Sequence, residues 1–361
     1  MIDAIRELVE IESPSHDADA SSRVADWIEA FANETGAPLT VERAKVDDGE
    51  HIVIRAFPGD GPHTLLLGHT DTVHPVGTKA KNPTRIDGDR FYGCGIFDMK
   101  SGVVVMLEAL RYLASSGKTP TSPITIVLSC DEEVGSFSGR SILEKEAVGA
   151  SRCLVFEPSA NGAVKTGRKG TGIFQLRAHG KPSHAGLEPE KGANAIAELA
   201  RQIQNIHAIA RPDLGTTVNV TTFNGGTTSN VIPEHAECEI DVRFSRADEA
   251  ERVRNELSSL TSSDPRVSLS LIAEINRPPM ERTVDVIAIY EKAREAAASF
   301  GYDLAEAQVG GASDGNFVAA LGVPVLDGLG ITGAGAHTLE EHILVSDIAK
   351  RATLVTLLLS S

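Results

Sequence analysis

Thr64-Leu65-Leu66-Leu67-Gly68-His69-Thr70-Asp71-Thr72 is a short apolar run that stops at a glycine and then delivers a histidine and an acid two residues apart. A run without polar alternation suits a strand buried on both faces. Similar Val-, Ile- and Leu-rich runs occur at Ile52 to Phe57, Ile124 to Ser129, Cys153 to Phe156 and Val323 to Leu326. Helical patterns separate several of them, notably Ser101 to Ala114, and Val24, Trp27, Ile28 and Phe31 mark one apolar helix face earlier in the chain. Strands alternating with helices predict an α/β domain with a mostly parallel sheet and flanking helices.

The middle of the chain has another rhythm. Gly172 to His179 reads as a strand, Ala193 to Ile209 as a helix, and Thr217 to Phe223 and Ala236 to Phe244 as strands. Ala247 to Leu260 then reads as a helix and Arg266 to Ala273 as a strand. The order β-α-β-β-α-β is the ferredoxin-like α+β pattern. A chain of 361 residues exceeds the usual span of one hydrophobic core. The expectation is a discontinuous domain over 1–168 and 279–361, interrupted by an inserted domain at 169–278. Helices over Asp285 to Ala298 and Ser346 to Leu359 close the first domain.

The formal net charge of −16 argues against nucleic acid or an anionic membrane surface as the main partner, since both require clustered Lys and Arg. No apolar run is long enough to span a bilayer. Met1 to Ile11 has the pattern of an amphipathic helix rather than an export signal, so the cytoplasm is the default location. Cys94, Cys130, Cys153 and Cys238 are widely separated, which suits buried reduced thiols better than a thiolate metal site. Lys165, Arg168 and Lys169 read as a solvated turn.

Chemistry concentrates where the apolar runs end. His69 and Asp71 follow one strand, Cys130-Asp131-Glu132-Glu133 follows a second, and Glu157 follows a third. In open α/β sheets, ligands gather at the carboxyl ends of strands. An acid two residues beyond a metal-binding histidine can accept a hydrogen bond from its other ring nitrogen, as expected for Asp71 and His69. Gly93-Cys94-Gly95-Ile96-Phe97-Asp98 presents Asp98 from a glycine-rich turn, and Gly333-Ala334-Gly335-Ala336-His337 presents His337 from another.

The motifs G-H-T-D-T-V, Y-G-x-G-x-x-D-M-K-S-G, D-E-E-x-G-S, F-E-P, S-H-A-G and a late G-A-H, spread from His69 to His337, resemble a zinc metallopeptidase family. That family includes glutamate carboxypeptidases, aminoacylases, acetylornithine deacetylase and succinyl-diaminopimelate desuccinylase. The resemblance implies a two-zinc catalytic domain interrupted by a dimerisation (lid) domain. It makes His69 and Glu157 ligands of one zinc, Glu133 and His337 ligands of the other, and Asp98 the bridge. Co2+ or Mn2+ are plausible substitutes for Zn2+ with such nitrogen and oxygen donors. It also implies a cis peptide after Asp98, Glu132 as the general base, and His184 as an oxyanion donor that reaches a second subunit, hence a homodimer.

For substrate, Arg243 and Asn230 match family positions that hold a carboxylate, and Arg277 matches a further basic position of the glutamate carboxypeptidases. The expected activity is hydrolysis of the amide bond to a C-terminal, acidic, glutamate-type amino acid of a peptide or N-acyl conjugate. The alternative within the family is an N-acyl-amino-acid deacylase of the acetylornithine or succinyl-diaminopimelate type. Met99 departs from the glutamate carboxypeptidases, which tend to carry a second acid there. Two readings from outside the family are weaker. Ser183 lacks a nucleophile-elbow setting, and a non-catalytic binding protein has no need of Glu132. His16, His51, His63, His74, His179, His207, His235 and His342 read as solvated or structural residues.

Overall fold

The computed structural model describes residues 1–360 and divides into two compact units. The first comprises Met1–Gly167, Arg282–Val309 and Ser313–Ser361; the second comprises Arg168–Glu281 with Gly310–Ala312.

The first unit is built on a six-stranded sheet in the order Leu39–Val46, Gly49–Ala56, Ile124–Ser129, His63–His69, Ala150–Val155, Val325–Leu326. The last four are mutually parallel. Ile124–Ser129 is buried at every position and His63–His69 from Thr64 onward, as their unbroken apolar runs predict. The other two strands run antiparallel to their neighbours. Leu39–Val46 escaped the sequence reading because it is an edge strand whose positions alternate between half-buried and exposed along most of its length. Only Asp47 and Asp48 separate it from Gly49–Ala56, and so short a link permits only an antiparallel pair.

Helices Ile2–Val9, Ala18–Glu34, Ser101–Ser116, Val284–Ala298 and Val345–Ser360 bury Ile5, Ile28, Leu107, Ala293 and Leu358 in the same core as the sheet. The transfer of each such Ile or Leu out of water contributes about 1.5–3 kcal/mol. Asp17 caps the second helix by accepting from the Ala20 N–H at 2.9 Å. Cys94, Cys130, Cys153 and Cys238 are buried free thiols. No helix of the described residues is long and apolar enough to cross a membrane.

The second unit carries a four-stranded antiparallel sheet in the order Thr217–Gly225, His235–Phe244, Gly170–His179, Ser268–Arg277. Helices Ala195–Ala208 and Ala247–Ser258 supply Leu199, Ile206, Val253 and Leu257 to a core with Phe174, Leu176, Ile240 and Val242. The alternation of these strands follows directly, because one face packs on the helices and Ile173 and Arg177 stand on the other.

The basic cluster corrects the sequence reading. Lys165 and Arg168 are buried rather than solvated. Arg168 Nη1 donates to the Gly311 and Ala312 carbonyls, both at 3.2 Å, which ties that tripeptide to the second unit.

Candidate metal centre

The ends of the parallel strands and two glycine-rich loops of the first unit converge on one cluster. His69 is the last residue of its strand. Ile124–Ser129 runs into the short turn Glu132–Val134, and Ala150–Val155 into Phe156 and Glu157. Asp98 sits just before helix Ser101–Ser116, and the Asp98–Met99 peptide is cis. His337 has a φ of 65° and follows Gly335, whose φ is 80°. A Cβ on Gly333 would lie 2.2 Å from the His342 carbonyl, so the loop can run this close only with glycine.

Two groups of potential ligands share one residue. His69, Asp98 and Glu157 form one, and Asp98, Glu133 and His337 the other. His69 Nε2 lies 3.1 Å from Asp98 Oδ1 and 3.6 Å from Glu157 Oε1. His337 Nε2 lies 3.3 Å from Asp98 Oδ2 and 3.2 Å from Glu133 Oε2. Asp98 thus turns one oxygen to each histidine, the disposition a bridging carboxylate needs for two ions about 3.5–4 Å apart. Glu133 Oε1 is buried without a hydrogen-bond partner among the described residues. Two imidazoles and three carboxylates, one of them with that unpartnered oxygen, fit divalent transition-metal cations.

The electrostatics have the same cause. Burial opposes a charge on His69, yet Asp71 and Asp98 raise its pKa well above the ordinary histidine value. Asp98 and Glu133 push His337 up to about 10. Burial works against ionised Asp98, but His337 and His69 keep it far below the ordinary carboxylate range. Protons are held where cations fit.

Asp71 has a wider role than the sequence suggested. His69 Nδ1 lies 3.0 Å from the Asp71 backbone carbonyl and 3.4 Å from its carboxylate. The carboxylate accepts the Glu132 and Glu133 N–H groups, both at 3.1 Å, and the Ser15 hydroxyl at 2.7 Å. Burial raises the Asp71 pKa, but these bonds and His69 outweigh it and leave it lowered.

Glu341 escaped the sequence reading. Fully buried, it accepts from the backbone N–H groups of Gly95, Phe97 and Asp98, each at 2.9 Å, and pairs with His74 Nε2 at 2.6 Å. His74 is therefore structural, as its sequence setting suggested. Asp314 joins Ser129 Oγ at 2.8 Å to Ser136 Oγ, clamping both ends of the loop that carries Glu132 and Glu133. The sequence signal for Glu341 was slight: a second acid four residues after His337.

The second unit holds the remaining candidates. His184 and Asn230 lie on adjoining segments: His184 bridges to Val231, and the Ala185 N–H donates to the Asn230 carbonyl at 2.9 Å. His184 is exposed, and its Nδ1 accepts from the Gly186 and Leu187 N–H groups at 3.1 and 3.2 Å. Those bonds leave the ring proton on Nε2. Thr171 pairs with Arg243 on one side and Arg277 on the other, so both arginines lie in one cross-strand row. Arg277 is buried, whereas Arg243 is partly exposed and forms a two-point ion pair with Asp241 at 2.8–3.1 Å.

Residues 65–361 match the family model described as Peptidase family M20/M25/M40. Carboxypeptidase G2 of Pseudomonas sp. (strain RS-16) is 32% identical over 97% of this chain and 86% of its own. Succinyl-diaminopimelate desuccinylase of Delftia acidovorans is 28% identical over 80% of this chain and 78% of its own. Among solved structures, aminopeptidase PepT from Bacillus cereus superposes with a TM-score of 0.85 at 23% identity, covering 99% of this chain and 97% of its own. Bacillus subtilis YXEP, described as a dinuclear metal-binding peptidase, has a TM-score of 0.70 at 16% identity, covering 99% and 96%. Both structures share the fold. By the extent of the family match and the identity to carboxypeptidase G2, the chain belongs to the M20/M25/M40 peptidases, hydrolases of peptide and amide bonds.

Proposed function

We propose that the chain is a two-zinc metallocarboxypeptidase that releases a C-terminal acidic, glutamate-type amino acid from a peptide or N-acyl conjugate. The observation that carries the metal chemistry is the pair of ligand groups sharing Asp98. His69 and Glu157 would hold one ion, Glu133 and His337 the other, and Asp98 would be shared by both. When bound, such a pair acidifies water and polarises a carbonyl.

The protein's own residues do the remaining work. Asp71 fixes the backbone of Glu132 through a 3.1 Å bond, and Glu132 takes a proton from the attacking water and returns it to the leaving nitrogen. His184, with its proton on Nε2, donates to the developing oxyanion. We assign that histidine to the site of a second copy in a homodimer. Arg243 exchanges Asp241 for the substrate α-carboxylate with help from Asn230, and Arg277 takes the acidic side chain.

The similarity to carboxypeptidase G2 over nearly the whole chain supports this choice. The similarity to succinyl-diaminopimelate desuccinylase favours a second reading, in which the same centre removes an acyl group from an amino acid. Turnover of N-acyl-glutamates and glutamyl dipeptides, set against N-acetylornithine and N-succinyl-diaminopimelate, decides between them. A kcat/KM at least tenfold higher for the glutamate-releasing substrates is expected; the reverse ratio would replace the first reading by the second.

A further inference from the structure

His179 and His235 face each other across adjacent antiparallel strands of the second unit. Their Nδ1 atoms are 3.2 Å apart and their ring centroids 4.7 Å apart. Glu234, next to His235 in sequence, lies 3.7 Å from His179 Nε2 and 3.6 Å from His235 Nε2. Each of the three residues offers one ligand atom within 4.8 Å of the others'. The metallopeptidase mechanism uses none of them.

We propose that His179, His235 and Glu234 form an additional transition-metal site, separate from the catalytic centre. Bonds of about 2.0–2.1 Å place two ligands of tetrahedral zinc about 3.3 Å apart, close to the separation of the two Nδ1 atoms. Strand pairing sets the backbone positions of the two histidines, and their rings already face each other at this spacing. The Gly180 N–H donates to the Glu234 carbonyl at 2.7 Å, which anchors the backbone of the third ligand. The Glu234 carboxylate lies on the Nε2 side of both rings, and its side chain, 38% exposed, turns to complete the site.

Two imidazoles and one carboxylate select a borderline dication such as Zn2+, Ni2+ or Cu2+ over Ca2+ or Mg2+. Three protein ligands leave a fourth position for water or a small anion. His179, Glu234 and His235 line a cavity of about 480 Å3 together with Arg177, Asn224 and Glu237. Imidazole binds a cation only through an unprotonated nitrogen, so protons and the cation compete for the site.

The test is a count of bound zinc on intact protein, by equilibrium dialysis and elemental analysis, in wild type, His179→Asn/His235→Asn and Glu234→Gln. The double variant is expected to bind one zinc fewer per chain, whatever number the first centre holds. Glu234→Gln is expected to keep that ion with at least tenfold weaker affinity. Cu2+ added to protein whose first centre is already filled should give an electron paramagnetic resonance spectrum with nitrogen coupling, absent from the double variant. Equal zinc content and identical copper spectra in wild type and double variant would overturn the proposal. Hydrolytic activity measured with the first centre filled is expected to be equal in all three proteins, which separates this site from the catalytic one.

Discussion

Glu341 Oε1 accepts the backbone N–H of Asp98 at 2.9 Å, so the residue that bridges the two ligand groups is held through its main chain by a buried carboxylate. The same carboxylate takes the Gly95 and Phe97 N–H groups and His74. Glu341→Ala strands three backbone donors and a histidine. It is expected to cost about 3–5 kcal/mol in urea unfolding, the scale for breaking a buried pair on one side. Glu341→Gln keeps the shape but not the charge and should instead lower metal affinity about 10–100-fold. Wild-type affinity in Glu341→Gln would show that the carboxylate has no positioning role.

Glu132→Ala should leave both ions in place and remove turnover, because Glu132 is not in either ligand group. The expected loss in kcat is about 10²–10⁴-fold, with KM little changed. Metal content and steady-state kinetics on one preparation make the comparison.

Asp71→Asn preserves size but removes the charge that accepts from Glu132 and Glu133. An amide nitrogen must then face a backbone N–H, and Glu133 is displaced. Metal affinity is expected to fall about 10–100-fold, with a parallel loss of activity that added zinc partly restores. A loss unresponsive to zinc would assign Asp71 a role in the chemical step itself.

Metal binding should release protons. In the metal-stripped protein, Asp98 and Glu133 raise His337 to about 10 and neighbouring carboxylates raise His69. Both rings are therefore protonated at neutral pH and must deprotonate to bind. Apparent zinc affinity therefore rises with pH through the range in which His337 gives up its proton, around pH 10. The stripped protein shows the opposite trend. A folded-state pKa above the unfolded value contributes stability that is full below about pH 6.5 and lost as the pH rises through about 10. Calorimetry in buffers of different ionisation enthalpy counts the released protons.

Subunit mixing tests the assignment of His184. Alone, His184→Ala should lose about 10²–10³-fold in kcat, the scale for one oxyanion donor. Mixed with Glu132→Ala chains, it should regain up to about a quarter of wild-type activity, since each mixed dimer assembles one intact site. No recovery, with subunit exchange verified, would place His184 in its own chain's site.

The candidate ligands could be picked out in the linear sequence because each sits at a discontinuity. His69, Glu133 and Glu157 follow apolar runs, and Asp98 and His337 follow glycines. The edge strand Leu39–Val46 could not, because a strand with one solvated side loses the apolar signal. The basic stretch from Lys165 to Lys169 misled for the complementary reason. A charged side chain looks solvated until the carbonyls that satisfy it are known, and for Arg168 these lie 143 and 144 residues away.

The sequence by itself determined the family and supplied the candidate donors, because the residue types are all present in the motifs. Tertiary structure decided which groups share Asp98, what holds it in place and where the neighbouring charges go. The Glu341 carboxylate meets the Gly95 N–H across 246 residues of chain, and Arg243 faces Asp241 instead of standing free for a substrate. Such contacts carry no local signature: a buried carboxylate is stable only where distant donors converge on it, and only the packed fold brings them together.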